Sequence, residues 1–173
     1  MSRQIPRSAT IVIAALTVCA WLVAVAIGAT NGAAATMGFI PARMSGLVDL
    51  SPAVPALLTP LSATLVHSGF LHLVFNLLML LWCGTAVERV LGRGALLLLY
   101  GVGAYAAAAA QWLADPASVV PMIGASGAIS AIIGAFALSF GESKRIARSP
   151  KLNRLLEPDT EPSAGSSPAA SNA

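Results

Sequence analysis

The chain has 173 residues, 57% hydrophobic and 10% charged, with a mean hydropathy of +0.79 and a formal net charge of +3. A soluble domain of this length carries about 25% charged residues, so a soluble domain is excluded. The basic residues sit beside and between apolar runs, so the positive balance is no nucleic-acid footprint. Apolar runs of about 20 residues recur, each long enough for a hydrocarbon core of about 30 Å. Backbone groups in lipid must be satisfied within helices or closed barrels, and these runs lack the alternation of barrel strands. The expected fold class is all-α, a polytopic membrane helix bundle.

In chain order, residues 1–8 form a short basic N-terminus, followed by an apolar run over 9–29. A secretory signal is the alternative reading of that run. It is longer than the usual signal core of about 7–15 residues and further spans follow, which favours an uncleaved first helix. Residues 30–60 form a long connection broken by Pro41, Pro52 and Pro55 up to Pro60, too interrupted to span. Connections of this length inside a compact protein tend to be functional. A second helix is expected over 61–87, with His67, His72 and Asn76 as polar insertions. The third follows over 94–113, and its alanine run at 106–110 permits close packing. Asp115-Pro116 makes a turn, and the fourth helix covers 119–140.

This gives a membrane domain over 9–141. Residues 142–173 then read as a tail, first basic and from Glu157 disordered in composition. Cys19 and Cys83 lie inside apolar runs and read as small packing residues. The charges orient the chain. With the N-terminus inside, nine of the ten Lys and Arg fall on the cytoplasmic side and only Arg43 outside. The positive-inside rule thus predicts four spans with both ends cytoplasmic.

Met122-Ile-Gly124-Ala-Ser126-Gly127-Ala128 opens the last apolar run, and two readings apply to it. Small residues let membrane helices approach closely. Alternatively, a serine between glycines suits a nucleophile beside backbone amides that face a developing oxyanion. The topology puts Ser126, His72 and Asn76 in the same half of the bilayer, with His72 and Asn76 on one helix face. Intramembrane polar groups are rare and usually face a bundle interior or a cavity. Ser126, Ser130 and Gly134 make one stripe, and Gly127, Ala131 and Ala135 the adjacent one, suited to pressing against a neighbour.

His67-Ser-Gly-Phe-Leu-His72-Leu-Val-Phe-Asn76 resembles the second-helix signature of the rhomboid intramembrane serine proteases. Ala86-Val-Glu88-Arg89-Val-Leu-Gly92 resembles the segment closing that helix, and Gly124-Ala-Ser126-Gly127 matches the Gly-x-Ser-Gly that opens the family's fourth helix. Gln111 also fits. The resemblance covers about residues 60–141. It implies four of the usual six helices and hydrolysis of a peptide bond in or near a substrate's transmembrane segment. Ser126 would be the nucleophile. Asn76, His72 and the Ser126 backbone N–H would form the oxyanion hole, with Gly124 and Gly127 as motif support. Such donors contribute roughly 2.7–4 kcal/mol each to the transition state. The connection over 30–60 would correspond to the family's outer loop, here without its Trp-Arg pair. The implied setting is a bacterial inner membrane, the implied partners are the lipid bilayer and transmembrane substrates or clients, and no cofactor or metal is implied.

Rhomboids complete a Ser–His dyad with a histidine on a later helix. The two histidines of this chain are His67 and His72. Glu142 and Lys144 lie about 25 Å from Ser126 along a helix, whereas a base must come within about 3 Å. The expectation is a rhomboid-type endopeptidase site without its general-base histidine, inactive alone, in a chain that reads as a rhomboid core cut short. Two readings compete with it: a non-catalytic module that holds membrane-protein clients, and a metal-handling bundle using His67, His72 and Cys83. Cys83 stands about 16 Å along the helix from His72, which weakens the last.

Overall fold

The computed structural model describes residues 8–147, with side chains over 8–141. The chain divides into two compact units, Met1–Ser139 and Phe140–Ala173, and the packing below belongs to the first. Among the described residues seven α-helices run in order: α1 Ala9–Ala26, α2 Thr30–Met37, α3 Pro41–Met44, α4 Thr59–Ser62, α5 Phe70–Met79, α6 Thr85–Ala114 and α7 Ser126–Ala147. Among the described residues there is no strand, only an isolated antiparallel bridge between Phe39 and Met122. The expected all-helical class stands.

Two helical stretches are long and apolar enough to cross a membrane, Ala9–Ala26 and the continuous 45-residue Phe70–Ala114. The latter covers the second expected helix from Phe70 on and all of the third. A five-residue π turn, Leu80–Gly84, joins α5 to α6. Within α6 the path breaks at Gly92 (φ 84°, ψ 168°), a left-handed value that favours glycine because a Cβ would crowd the backbone. The break falls inside the expected gap between residues 87 and 94. The apolar part of α7, Ser126–Gly141, is shorter than a spanning helix.

Several expected boundaries are corrected. The first helix ends at Ala26 rather than residue 29, because Gly28 turns the chain at φ 65°. The second begins at Phe70 rather than residue 61. Residues 59–65 instead form α4 and a 3-10 turn, Ala63–Leu65, and Val66 and Gly69 are extended. Here Thr59 and Thr64 hydroxyls donate to the carbonyls of Ala56 and Leu61, local bonds that compete with a regular helix. The fourth helix begins at Ser126, not residue 119, because the preceding strand-like bridge and Gly124 (φ 98°) hold 119–125 out of helix. It continues past residue 140 to Ala147. The expected disordered tail from Glu157 lies outside the described residues.

The core sits where α1, the π turn, α6 and α7 meet. Leu80, Val87, Leu96 and Ile132 are its fully buried large side chains, with Ala14, Ala104 and Ala128 between them. Small residues set the spacing. A Cβ on Gly84 would stand 3.0 Å from Thr10 Cγ2, so α1 crosses directly over the π turn. A Cβ on Gly103 would stand 2.8 Å from Ala131 Cβ, and one on Gly127 would collide with Ala107. The Gly127–Ala131 stripe is therefore the face of α7 that presses on α6, as expected for small-residue contacts. Cys83 belongs to this core, whereas Cys19 is exposed beside the groove between α1 and α2, which corrects its reading as a packing residue.

Candidate active site

Three non-spanning segments build the site. Residues 30–58 fold over residues 115–125, and the pairing is made by backbone. Phe39 N–H donates to Met122 O at 3.0 Å and Met122 N–H returns to Phe39 O at 2.7 Å. Ala42 N–H reaches Ser118 O at 3.0 Å. Ser45 Oγ donates to Pro116 O at 2.8 Å and accepts from Trp112 Nε1 at 2.9 Å. Arg43 Nη2 holds Val54 O at 2.9 Å, and Tyr105 OH holds Leu57 O at 2.9 Å. The long connection is thus an ordered clamp on the segment that leads into Ser126.

The third segment, 63–69, meets that lead-in directly. Gly124 N–H donates to Ala63 O at 2.9 Å. The imidazole of His72, on the first turn of α5, presents its Nε2–Cε1 edge to Gly124. A Cβ built there would stand 2.5 Å from His72 Nε2 and 3.8 Å from Asn76 Nδ2. Position 124 therefore needs glycine twice over, for its φ of 98° and for the space the ring occupies. With the second helix starting at Phe70 and not at the expected residue 61, His72 and Asn76 occupy the first two turns of α5.

His72 has defined neighbours at both nitrogens. Nδ1 lies 3.2 Å from Ser68 Oγ, and Nε2 faces Gly124. When the Ser68 hydroxyl donates to Nδ1, the ring proton resides on Nε2 and the histidine is a donor toward Gly124. Asn76 is buried, and its Nδ2 donates to His72 O at 2.8 Å. That bond uses one of the two amide protons. His67 packs edge-on against His72, with ring centroids 4.9 Å apart, and is 2% exposed with neither ring nitrogen hydrogen-bonded.

Ser126 is the first residue of α7 and is exposed. First-turn N–H groups of a helix have no intrahelical acceptor, so the amides of Ser126 and Gly127 carry partial positive charge with no helical partner. Ser130 Oγ donates back to Ser126 O at 2.8 Å. Of the residues singled out in the sequence, His72 meets both Gly124 and Asn76, Ser126 follows Gly124 by two residues, and Gly127 serves the α6 contact. Sequence reading missed Ala63, Phe39 and Ser68, which position this group. A run of apolar and hydroxyl residues carries no signal for pairings so distant in the chain.

A family model, the Rhomboid domain, matches residues 55–167. The chain belongs to the rhomboid family. The match reaches beyond residue 141, where the resemblance of individual motifs stops. The rhomboid protease GluP of Bacillus subtilis (strain 168) is 43% identical over 79 residues, 46% of this chain and 14% of the relative. YdcA of the same organism, a rhomboid protease by provisional assignment, is 35% identical over 80 residues, 46% of this chain and 38% of the relative. The chain thus matches well under half the length of either. No solved structure matches significantly. Rhomboid membership and the apolar helices together point to a bacterial membrane protein.

Proposed function

We propose that this rhomboid carries the nucleophile and oxyanion half of an intramembrane serine endopeptidase site, acting on transmembrane segments of other proteins. The observation that carries the reading is the contact of His72 Nε2 with Gly124, two residues before Ser126 at the start of α7. Ser126 Oγ is the nucleophile. His72 Nε2–H, the second Asn76 amide proton and the Ser126 N–H are the donors for the oxyanion. Preorganised donors are effective because they need no reorganisation as charge develops.

Neither histidine of the chain is suited to take the Ser126 proton. His72 turns its Nε2 to Gly124 with its Nδ1 against Ser68 Oγ, and His67 is buried against the His72 ring. We therefore expect these residues by themselves to turn over substrate no faster than the Ser126→Ala variant. The charge bias supports a bacterial inner-membrane location with both ends of the chain cytoplasmic. The domain reading, a membrane domain over 9–141 and a polar tail over 142–173, belongs to the same proposal. The placement of these two histidines equally favours a second reading, a module that holds transmembrane clients without cutting them.

The test is fluorophosphonate labelling in detergent micelles, with and without about 100 mM imidazole as a diffusible base, on wild type and Ser126→Ala. Imidazole-dependent labelling of wild type alone is expected. Cleavage of a model transmembrane substrate without imidazole would overturn the inactive reading. Absence of Ser126-dependent labelling in both conditions, with clients still retained, would leave the holding module.

A further inference from the structure

A small cavity of about 40 Å³ lies where α1, α2 and residues 65–67 meet. Most of its wall is apolar, but Thr30 and His67 also line it. His67 is 2% exposed, and neither ring nitrogen has a hydrogen-bond partner. An imidazole buried this far is neutral, with one N–H donor and one bare acceptor nitrogen. The Leu65 carbonyl acts on the ring from nearby but makes no hydrogen bond with it, and a carbonyl serves only an N–H. The bare nitrogen needs a donor from elsewhere.

The second polar feature is the start of α2. Its N-cap residue is Ala29, which makes no side-chain bond to the helix, and the first-turn amides of a helix have no intrahelical acceptor. Thr30 opens the helix and adds a hydroxyl at the cavity. Size then decides which ligand fits. A water needs on the order of 10–15 Å³ of such space, so a cavity of about 40 Å³ admits about two or three. Organic ligands occupy pockets of about 300 Å³ and more. Buried waters typically bond to polar groups that otherwise lack partners, and an acceptor nitrogen together with an uncapped helix start supplies groups of both kinds.

We propose that this cavity is a site for buried water, which donates to the bare nitrogen of His67 and accepts from the Thr30 hydroxyl. The water ties the start of α2, the first element of the clamp over residues 115–125, to the histidine whose ring edge packs on His72 with centroids 4.9 Å apart. The bound water thereby fixes the His67 ring against His72. The site does not depend on the chemistry proposed for Ser126.

The test is nuclear magnetic resonance of the full chain in detergent micelles, with its histidine rings labelled with nitrogen-15. The chain has two histidines, so the signals that vanish in His67→Phe assign the His67 ring. Wild type is expected to show a nuclear Overhauser cross-peak between the His67 ring protons and water, with the sign of a long-lived bound water. Val66→Leu, which extends a lining side chain, is expected to abolish the cross-peak and to move the bare-nitrogen resonance downfield as its hydrogen bond is lost. Thr30→Val keeps the shape without the hydroxyl and is expected to weaken the cross-peak, which supplies the readout should Val66→Leu fail to fold. Thr36→Val removes a hydroxyl that donates to Gly32 O outside this cavity and is expected to leave the cross-peak intact. Circular dichroism of each variant establishes that the helices are retained. Absence of the cross-peak in wild type overturns the site. An unchanged cross-peak in Val66→Leu and Thr30→Val, or an equal loss in Thr36→Val, overturns its placement in this cavity.

Discussion

The carboxylate of Glu88 accepts the hydroxyl of Thr10 at 2.6 Å, across 78 residues of sequence, in a position where Thr10 is fully buried. The same carboxylate takes the Thr10 and Ala9 amides and the Ser8 hydroxyl, so a residue near the end of one spanning segment caps the N-terminus of another. Ser8 assists as the local cap, with its Oγ 3.4 Å from Ile11 N. Charge-assisted bonds of this kind contribute about 1.5–3 kcal/mol each. Glu88→Gln keeps the size but supplies an N–H where an acceptor is required. It is expected to lower stability by about 3 kcal/mol on that scale, read as an earlier transition in unfolding by sodium dodecyl sulfate. An unchanged midpoint would show that α1 does not depend on this cap.

Gly124→Ala places a methyl group against His72 Nε2 at a backbone angle of 98°. Holding a non-glycine residue at such an angle costs about 1–3 kcal/mol, and the ring must also move. The expected result is release of the lead-in to α7, seen as faster proteolysis within 115–125, together with loss of any Ser126-dependent labelling. Retention of both native protection and labelling would contradict the contact.

Two glycines of α7 separate packing from propensity. Gly127 has no room for a methyl group beside Ala107, whereas a Cβ on Gly134 meets nothing within 4 Å. Gly127→Ala is expected to destabilise by about 1–3 kcal/mol through overpacking. Gly134→Ala is expected to be neutral or to stabilise by up to about 1 kcal/mol, the helix-propensity difference. The comparison is made by the same unfolding titration, and equal effects would mean that α7 does not press on α6.

Ser45→Ala removes the acceptor of the Trp112 indole and the donor to Pro116 O at once. Losing these bonds is expected to reduce stability by about 1–2 kcal/mol and to change the Trp112 emission, measured in a variant with Trp21 and Trp82 replaced by Phe. An unaltered spectrum would place the indole outside this link.

Composition and apolar periodicity were enough to specify helices in a bilayer, since water and lipid leave few alternatives for such a chain. The break near Gly92 and the small-residue face of α7 were also legible, because glycine and alanine act through their own lack of bulk. The motifs His72-x-x-x-Asn76 and Gly124-x-Ser126-Gly127 carried the family, and the family match bears that out. Pairings between distant segments were not legible. Glu88 with Thr10, Phe39 with Met122 and Ala63 with Gly124 join residues whose local sequence is ordinary, and mostly through backbone atoms that every residue has. The same pairings moved the expected helix starts to Phe70 and Ser126, since a loop bonded to another loop is held out of the helix that its apolar composition suggests. The sequence by itself determined the helical class and the motifs that match the rhomboid family. Only the tertiary structure decided that His72 turns its Nε2 to Gly124, because that contact depends on where two separate helices begin.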